Sequence, residues 1–499
     1  MIDRWLRSPG AWIAALALVL ALLLPGLRGI WDADEGRYTN VALQMVDSGD
    51  WLSPRRSEHT GHWTKPPLTY WAIAASVEVF GRNPWAARLP GSLAYLLCAW
   101  LAFRIARRLA PGSERVAALA FATMLVPFGA AHYITTDFLL AAVEALAMWG
   151  FVEARFGERR HARRWLALMW AGFGLAFLTK GPPGLLPLLA VFAFDALTPA
   201  AQADGSRRPR ALQWWGPLLL LAVALPWYLA VVLRTPGLLD YFLGAEVVDR
   251  IASDDFDRHG GWLGWLKVYG PTLLLGTLPW TGALWRWLRA MPARVSAWRT
   301  PAARDGDRAA LLLVLWVLLP LLVFCLAQSR MPLYLLPLFV PLAVIVARQR
   351  HAEERGLPRW RWLLAWAALL LALEFAAAQW PTHKDGDAWR QAIEARVQGP
   401  VGKVYAVEDM ARYSLNLELG ASVEKLSLLP EPQPRFSPEF DGDVAGVLLA
   451  GPDRDALWMT RQERFPDVQA RLREFGYIAI PQGAPYEDRI LFRVRPATD

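Results

Sequence analysis

The chain has 499 residues, room for roughly three domains of ~150 residues, yet 55% of them are hydrophobic, 20% are charged and 27 are tryptophan. That balance argues against a soluble multidomain enzyme and for a polytopic membrane protein. The net charge of +8, from 53 basic and 45 acidic residues, would point a soluble protein towards nucleic acid. Here the cations fall in alternate loops between apolar runs, so they encode topology and no nucleic-acid partner is expected.

Apolar runs long enough for helices of ~20 residues across a ~30 Å hydrocarbon layer are expected at 9–28, 89–110, 115–133, 138–156, 164–180, 182–198, 212–233, 263–287, 309–327, 331–348 and 361–380. That makes about eleven spans. The first follows Arg4 and Arg7 and ends at Leu27 and Arg28 without a small-x-small cleavage site, so it is expected to stay as a helix rather than leave as a signal peptide. With the start of the chain in the cytoplasm, every second loop is arginine-rich: 107–115, 159–164, 207–210, 289–308 and 348–361. The positive-inside rule makes these the inner loops. Two long loops, 29–88 and 234–262, and residues 381–499 then face outward. Both cysteines, Cys98 and Cys325, lie inside apolar segments, so no disulfide framework or cysteine metal site is on offer.

The expected organisation is a transmembrane domain over 1–380 and a small soluble α/β domain over 381–499. Within the first outer loop, 34–46 reads as a helix with Asp34 as its cap and Ser48 and Gly49 as its stop. The apolar stretch 66–80 reads as an interfacial helix, because counting it as a span would invert every later arginine-rich loop. After Trp380, 401–407 and 445–449 read as strands, 453–475 as a helix, and 477–480 and 489–494 as strands.

The chemistry-bearing residues sit at the outer ends of spans. Asp32, Asp34 and Glu35 put three carboxylates at the mouth of the first span, followed by Arg37 and Tyr38. They suit helix capping with an Arg37 pair as well as a general base or metal ligand. Lys65, before Pro66 and Pro67, and Lys180, in a tight Thr-Lys-Gly-Pro-Pro turn, are two of only six lysines. Lys65 also suits snorkelling to headgroups. Arg330, followed by Pro332 and Tyr334, is a cation in another short outer connection. Two or three such cations at one interface make a phosphate site. Asp137 opens a later span and suits an N-cap. The second long loop carries Glu246, Asp249, Arg250, Asp254, Asp255, Asp257 and His259, an acidic run that reads as a solvated face and matches no calcium loop.

In this order, Asp34-Glu35-x-Arg37-Tyr38, Ser48-Gly49-Asp50-Trp51, Lys65-Pro66-Pro67-Leu68-x-Tyr70-Trp71, Asp137, Thr179-Lys180-Gly181 and Arg330-x-Pro332-x-Tyr334 resemble the lipid A aminoarabinose transferases. These belong to the protein mannosyltransferase-like, C-type glycosyltransferases. The resemblance covers roughly residues 1–380, and the Arg37-Tyr38 continuation favours the aminoarabinose branch over classical protein O-mannosyltransferases. It implies an inverting transferase of the bacterial inner membrane with its site on the periplasmic side. The sugar would pass from a polyprenyl (undecaprenyl) phosphate donor to lipid A or another lipid or glycan acceptor, among membrane lipids.

By the same resemblance, Asp34 is the catalytic carboxylate and Asp137 supports it. Lys65 and Arg250, with Lys180 or Arg330, hold the donor phosphate, and Glu35, Arg37, Tyr38, Glu246 and Tyr334 line the substrate. The family often has a Glu before the Lys-Pro motif and a His after the Glu of the later loop, a pair associated with a metal. This chain has Thr64 and Val247 there, so a divalent metal is disfavoured and no cofactor is expected. The alternatives are a protein O-glycosyltransferase of the same architecture, and a transporter or flippase for a lipid-linked sugar. Against transport stands the clustering of charge at the outer ends of spans, with Glu144 and Glu374 as exceptions.

Overall fold

A computed structural model describes residues 9–198, 209–244 and 261–497. Its helices, in chain order, are α1 (Pro9–Leu22), α2 (Asp34–Ser48), α3 (Leu68–Phe80), α4 (Pro84–Leu109), α5 (Glu114–Thr123), α6 (Leu125–Ala131) and α7 (Thr136–Phe156). Next come α8 (Ala162–Lys180), α9 (Pro187–Leu197), α10 (Trp215–Arg234), α11 (Leu238–Leu243), α12 (Gly264–Gly276), α13 (Thr281–Arg289), α14 (Met291–Ala297) and α15 (Pro301–Gly306). Then follow α16 (Arg308–Leu326), α17 (Phe339–Ala352) and α18 (Trp360–Gln379). The chain forms two compact units: residues 1–24 with 90–375, and residues 25–89 with 376–499.

The first unit is a helical, multi-pass membrane body. By length and apolarity, α4, α10, α16, Pro332–Ala352 and α18 can each cross a membrane among the described residues, and α5 with α6 makes a sixth if the pair is one span. Several expected spans are interrupted. The stretch 115–133 bends by 60° between α5 and α6, and 263–287 divides into α12 and α13. The segments 182–198 and 331–348 each open with a 3-10 turn, Pro182–Leu185 and Pro332–Leu338, where prolines remove amide donors. Hydropathy averages over these breaks.

The core of this unit is built from α4, α5, α7, α8, α16 and α17, with Phe121, Phe151, Phe173, Trp316 and Phe339 almost wholly buried. Cations in or beside the arginine-rich connections are tied down by carboxylates. Arg108 meets Glu153 at 2.9 Å, Arg286 meets Glu353 at 2.6 Å and Arg348 meets Asp307 at 2.8 Å.

The second unit joins the first outer loop to the C-terminal chain. Helix α2 ends where Gly49 adopts φ 69°, the left-handed conformation that glycine supplies without steric cost. Its start differs from expectation: Ala33 occupies the cap position without a side-chain bond, and Asp34 lies inside the first turn. Helix α3 packs against α2. The segment before α2 runs beside residues 384–386 through an isolated β-bridge between Trp31 and Asp385, with the Asp32 amide donating to the Lys384 carbonyl and the Gly386 amide to that of Ile30, both at 2.9 Å.

The rest of the unit is a six-stranded mixed sheet. Its strands are β1 (Lys403–Val407), β2 (Ser422–Ser427), β3 (Gly442–Asp443), β4 (Leu457–Arg461), β5 (Tyr477–Pro481) and β6 (Arg489–Pro496). They lie in the order β3-β2-β1-β4-β6-β5, parallel over the first four and antiparallel where β6 joins β4 and β5. Helices α19 (Gly386–Glu394) and α20 (Leu415–Leu419) cover one face through Trp389, Ile393 and Leu415. On the other face α21 (Val444–Ala450) and α22 (Phe465–Glu474) bring Val444, Leu448, Phe465 and Leu472.

Two readings of this domain are corrected. The expected strand at 445–449 is helix α21, opened by Asp443 accepting from the Gly446 amide at 2.9 Å; a short apolar run looks alike in either state until its cap is known. The expected helix over 453–475 is two elements. Leu457–Met459 are buried on both faces of β4 and show no alternation, and Pro466 starts α22 afresh.

Candidate active site

In the first-loop cluster, the carboxylates of Asp34 and Glu35 lie in the first turn of α2, where unpaired amides favour negative charge. Their surroundings are opposite. Glu35 is wholly buried and accepts from Arg28 Nη1 at 2.5 Å, from Arg88 Nε and Nη2 at 3.0 Å, and from the Trp31 amide at 3.0 Å. Burial pushes its carboxyl up, but the Arg88 and Arg28 guanidiniums outweigh burial and hold it at about 2. Asp34 is about two-fifths exposed and accepts one bond, from Arg37 at 2.5 Å.

Asp32 differs again. It is buried and accepts from the amide of Ser414 at 3.1 Å and from its hydroxyl. Burial raises it to about 7 against those bonds and Arg412, and Glu35 adds to the rise.

Behind Asp34 stands an aromatic wall. The Arg37 guanidinium sits 5.7 Å from the Tyr38 ring, Tyr38 lies 5.9 Å from Tyr70, and His62 meets Tyr70 edge-on at 6.0 Å. His62 Nε2 is hydrogen-bonded to Thr64 Oγ1 at 3.0 Å, and Lys65 Nζ donates to the Thr64 carbonyl at 3.0 Å. Burial, then Arg37, Arg56 and Lys65, keep His62 well below its ordinary value and neutral.

A second cluster belongs to the membrane unit. Thr135 caps α7 by accepting from the Asp137 amide at 3.2 Å, so Asp137 sits inside the helix rather than as its cap. Its carboxylate pairs with Lys180, the last residue of α8. The same ammonium lies 4.4 Å from the Tyr334 ring. Arg330 is buried and donates to the carbonyls of Gly261 at 3.0 Å and Cys325 at 3.1 Å. Asp34, Glu35, Arg37, Tyr38 and Lys65 thus share one unit, and Asp137, Lys180, Arg330 and Tyr334 the other. Arg250 and Glu246, with Val247 and the acidic run, lie outside the described residues.

Sequence reasoning passed over Arg28, Arg88 and Ser414. Arg88 carried a signal, since a cation in the outer half of an apolar helix needs a buried partner. The Thr64 hydroxyl is taken by His62, and no group of three or more His, Cys, Asp or Glu among the described residues is placed to hold an ion.

Residues 64–245 match the family model described as dolichyl-phosphate-mannose-protein mannosyltransferase. Among curated relatives, the undecaprenyl phosphate-alpha-4-amino-4-deoxy-L-arabinose arabinosyl transferase of Edwardsiella ictaluri is 33% identical over 364 residues, 70% of this chain and 61% of that protein. Its namesake in Aeromonas salmonicida is 31% identical over 390 residues, 74% and 66% of the two chains. The chain therefore spans about three-fifths of the length of the curated relatives it matches. Among solved structures, ArnT from Cupriavidus metallidurans bound to undecaprenyl phosphate superimposes with a TM-score of 0.76 at 21% identity, over 96% of this chain and 97% of that one. A related fold is that of the Archaeoglobus fulgidus oligosaccharyltransferase, with a TM-score of 0.50 at 13% identity, over 84% and 64%. The chain belongs to the protein mannosyltransferase-like, C-type glycosyltransferases, on their aminoarabinose transferase branch.

Proposed function

We propose that this protein is an inverting glycosyltransferase of the bacterial inner membrane that moves a sugar from polyprenyl phosphate to a periplasmic acceptor, with lipid A as the acceptor and an aminoarabinose-like pentose as the sugar. The names of its curated relatives support the donor and the sugar. The start of the chain is cytoplasmic, and residues 381–499 form a periplasmic domain following the transmembrane domain.

Asp34 carries the reading. Of the paired carboxylates opening α2, Glu35 is consumed by two buried arginines while Asp34 remains partly exposed. An acceptor oxygen attacks the anomeric carbon, the bond from that carbon to the phosphate oxygen breaks, and its electron pair leaves on polyprenyl phosphate. If the acceptor is a hydroxyl, its proton passes to Asp34; a phosphate acceptor needs only positioning. Lys65 and Arg250, with Lys180 and Arg330, stabilise charge on the departing phosphate. Asp137 sets the position of Lys180, and Tyr334, Arg37, Tyr38 and Glu246 line the substrate. Glu35 acts through Arg28 and Arg88 as a positioning residue rather than by touching substrate.

The test is incubation of the purified full chain in nanodiscs with undecaprenyl phosphate-aminoarabinose and lipid A. Release of undecaprenyl phosphate together with the matching mass gain on lipid A is the expected result. Movement of intact donor across a sealed bilayer, with neither product formed, would establish transport instead.

A further inference from the structure

Away from the candidate active site, one arginine of the membrane unit is held by rings alone. Trp100, Arg104 and Arg108 follow one another at i, i+4 spacing along α4, so each neighbours the next on the helix surface. Arg104 lies about 8 Å before the end of α4. A guanidinium at that depth in a span calls for an anion or an oxygen beside it. What the fold supplies is aromatic: the Arg104 guanidinium sits 5.1 Å from the Trp100 ring and 4.8 Å from that of Trp149 on α7, and Trp149 meets Trp165 of α8 edge-on at 4.8 Å. Ring faces attract the charge without giving its N–H groups an acceptor. Arg104 Nε is buried and has no hydrogen-bond partner, and Arg104 forms no ion pair, among the described residues. The carboxylate of this cluster, Glu153, is engaged elsewhere: it takes Arg108 Nε at 2.9 Å and Trp149 Nε1 at 3.4 Å. The cluster also opens on the surface, with Trp100 43% exposed, Arg104 half-buried and Arg107 exposed.

We propose that Arg104, held between Trp100 and Trp149, is the centre of a binding site for the phosphate of an anionic phospholipid at the arginine-rich border of the membrane body. The site is separate from the transferase reading and stands without it. A guanidinium fixed by its rings presents parallel N–H groups to two oxygens of one phosphate. The acyl chains have a place to lie, because Leu93, two helical turns before Trp100, is exposed on the same side of α4. Charge selects the headgroup. The tryptophan faces that would take an ethanolammonium are already filled by Arg104, and Arg107, one turn further along the helix, repels a second cation. On the orientation proposed above this border is cytoplasmic, the side on which basic pockets between helices take anionic headgroups.

The test is lipid retention by the full chain, read by native mass spectrometry from micelles, with phosphatidylglycerol and phosphatidylethanolamine as separate probes. The unaltered protein should retain phosphatidylglycerol about tenfold more strongly, and Arg104→Gln should abolish that preference, the loss of one charge-assisted hydrogen bond. Trp100→Leu, at an exposed position, should reduce the preference part-way by freeing Arg104 on one side. Arg107→Gln removes an exposed arginine at the same border and should leave the preference nearly intact. If Arg107→Gln lowers phosphatidylglycerol retention as much as Arg104→Gln does, the border attracts anions by charge alone and the site is refuted. Equal retention of the two lipids by the unaltered protein, or a preference that survives both Arg104→Gln and Trp100→Leu, would overturn it as well. Should Arg104→Gln fail to fold, Trp100→Leu decides: a reduced preference upholds the site and an unchanged one removes it.

Discussion

Three carboxylates within four residues meet three different fates, and their surroundings rank what each substitution does. Asp34→Asn keeps size and removes charge from a partly exposed side chain. Transfer should fall ~10²-fold or more if a base is lost, with thermal stability unchanged. Glu35→Gln should instead cost about 3–5 kcal/mol, because Arg28 and Arg88 are left buried without their counter-charge. Denaturant unfolding of the pair of variants checks this, and equal stabilities would refute the division of roles. Asp32 titrates well above Glu35. Its folded value of about 7 lies above its usual 3.8, so the folded state holds the proton more tightly. Its contribution is therefore fully present below pH ~4 and is lost as pH rises through about 7. Asp32→Asn should flatten that part of the stability profile, and an unchanged slope between pH 4 and 7 would count against the assignment.

At the scale of elements, what the sequence made legible depended on whether the signal was local. Helix α2 was readable because Gly49 ends it and the charged first turn begins it. Helix α21 and strand β4 were not, since one depends on a cap at Asp443 and the other on burial on both faces. The motif residues were readable as types and spacings, whereas the roles of Arg88 and Ser414 emerge only when distant segments meet Glu35 and Asp32. The seam between α2 and the C-terminal chain is also tight. A Cβ on Gly36 would lie 1.8 Å from Asp32 Oδ1 and 2.8 Å from the Ser414 amide nitrogen. Gly36→Ala, which would favour an isolated helix, should here destabilise the second unit by about 1–3 kcal/mol. A raised unfolding midpoint in thermal melts would contradict the packing.

For the molecule as a whole, the arginine alternation commits the orientation. Alkaline phosphatase fused after Pro381 should be active and a fusion after Arg164 silent; the opposite pattern would invert every assignment of inside and outside. The composition of the second unit carries one further consequence, for biosynthesis. Its first part, residues 25–89, and its second, residues 376–499, are separated by the whole helical body, so Asp32 emerges long before Ser414 exists. With 382 residues from Asp32 to Ser414 and translation at ~5–20 residues per second, the first loop waits about 20–75 s for its partner. During that interval Asp32 lacks the serine that shelters it. The loop is then the part of the nascent chain most in need of a holding chaperone, and a ribosome stalled anywhere in the helical body would leave it open to proteases.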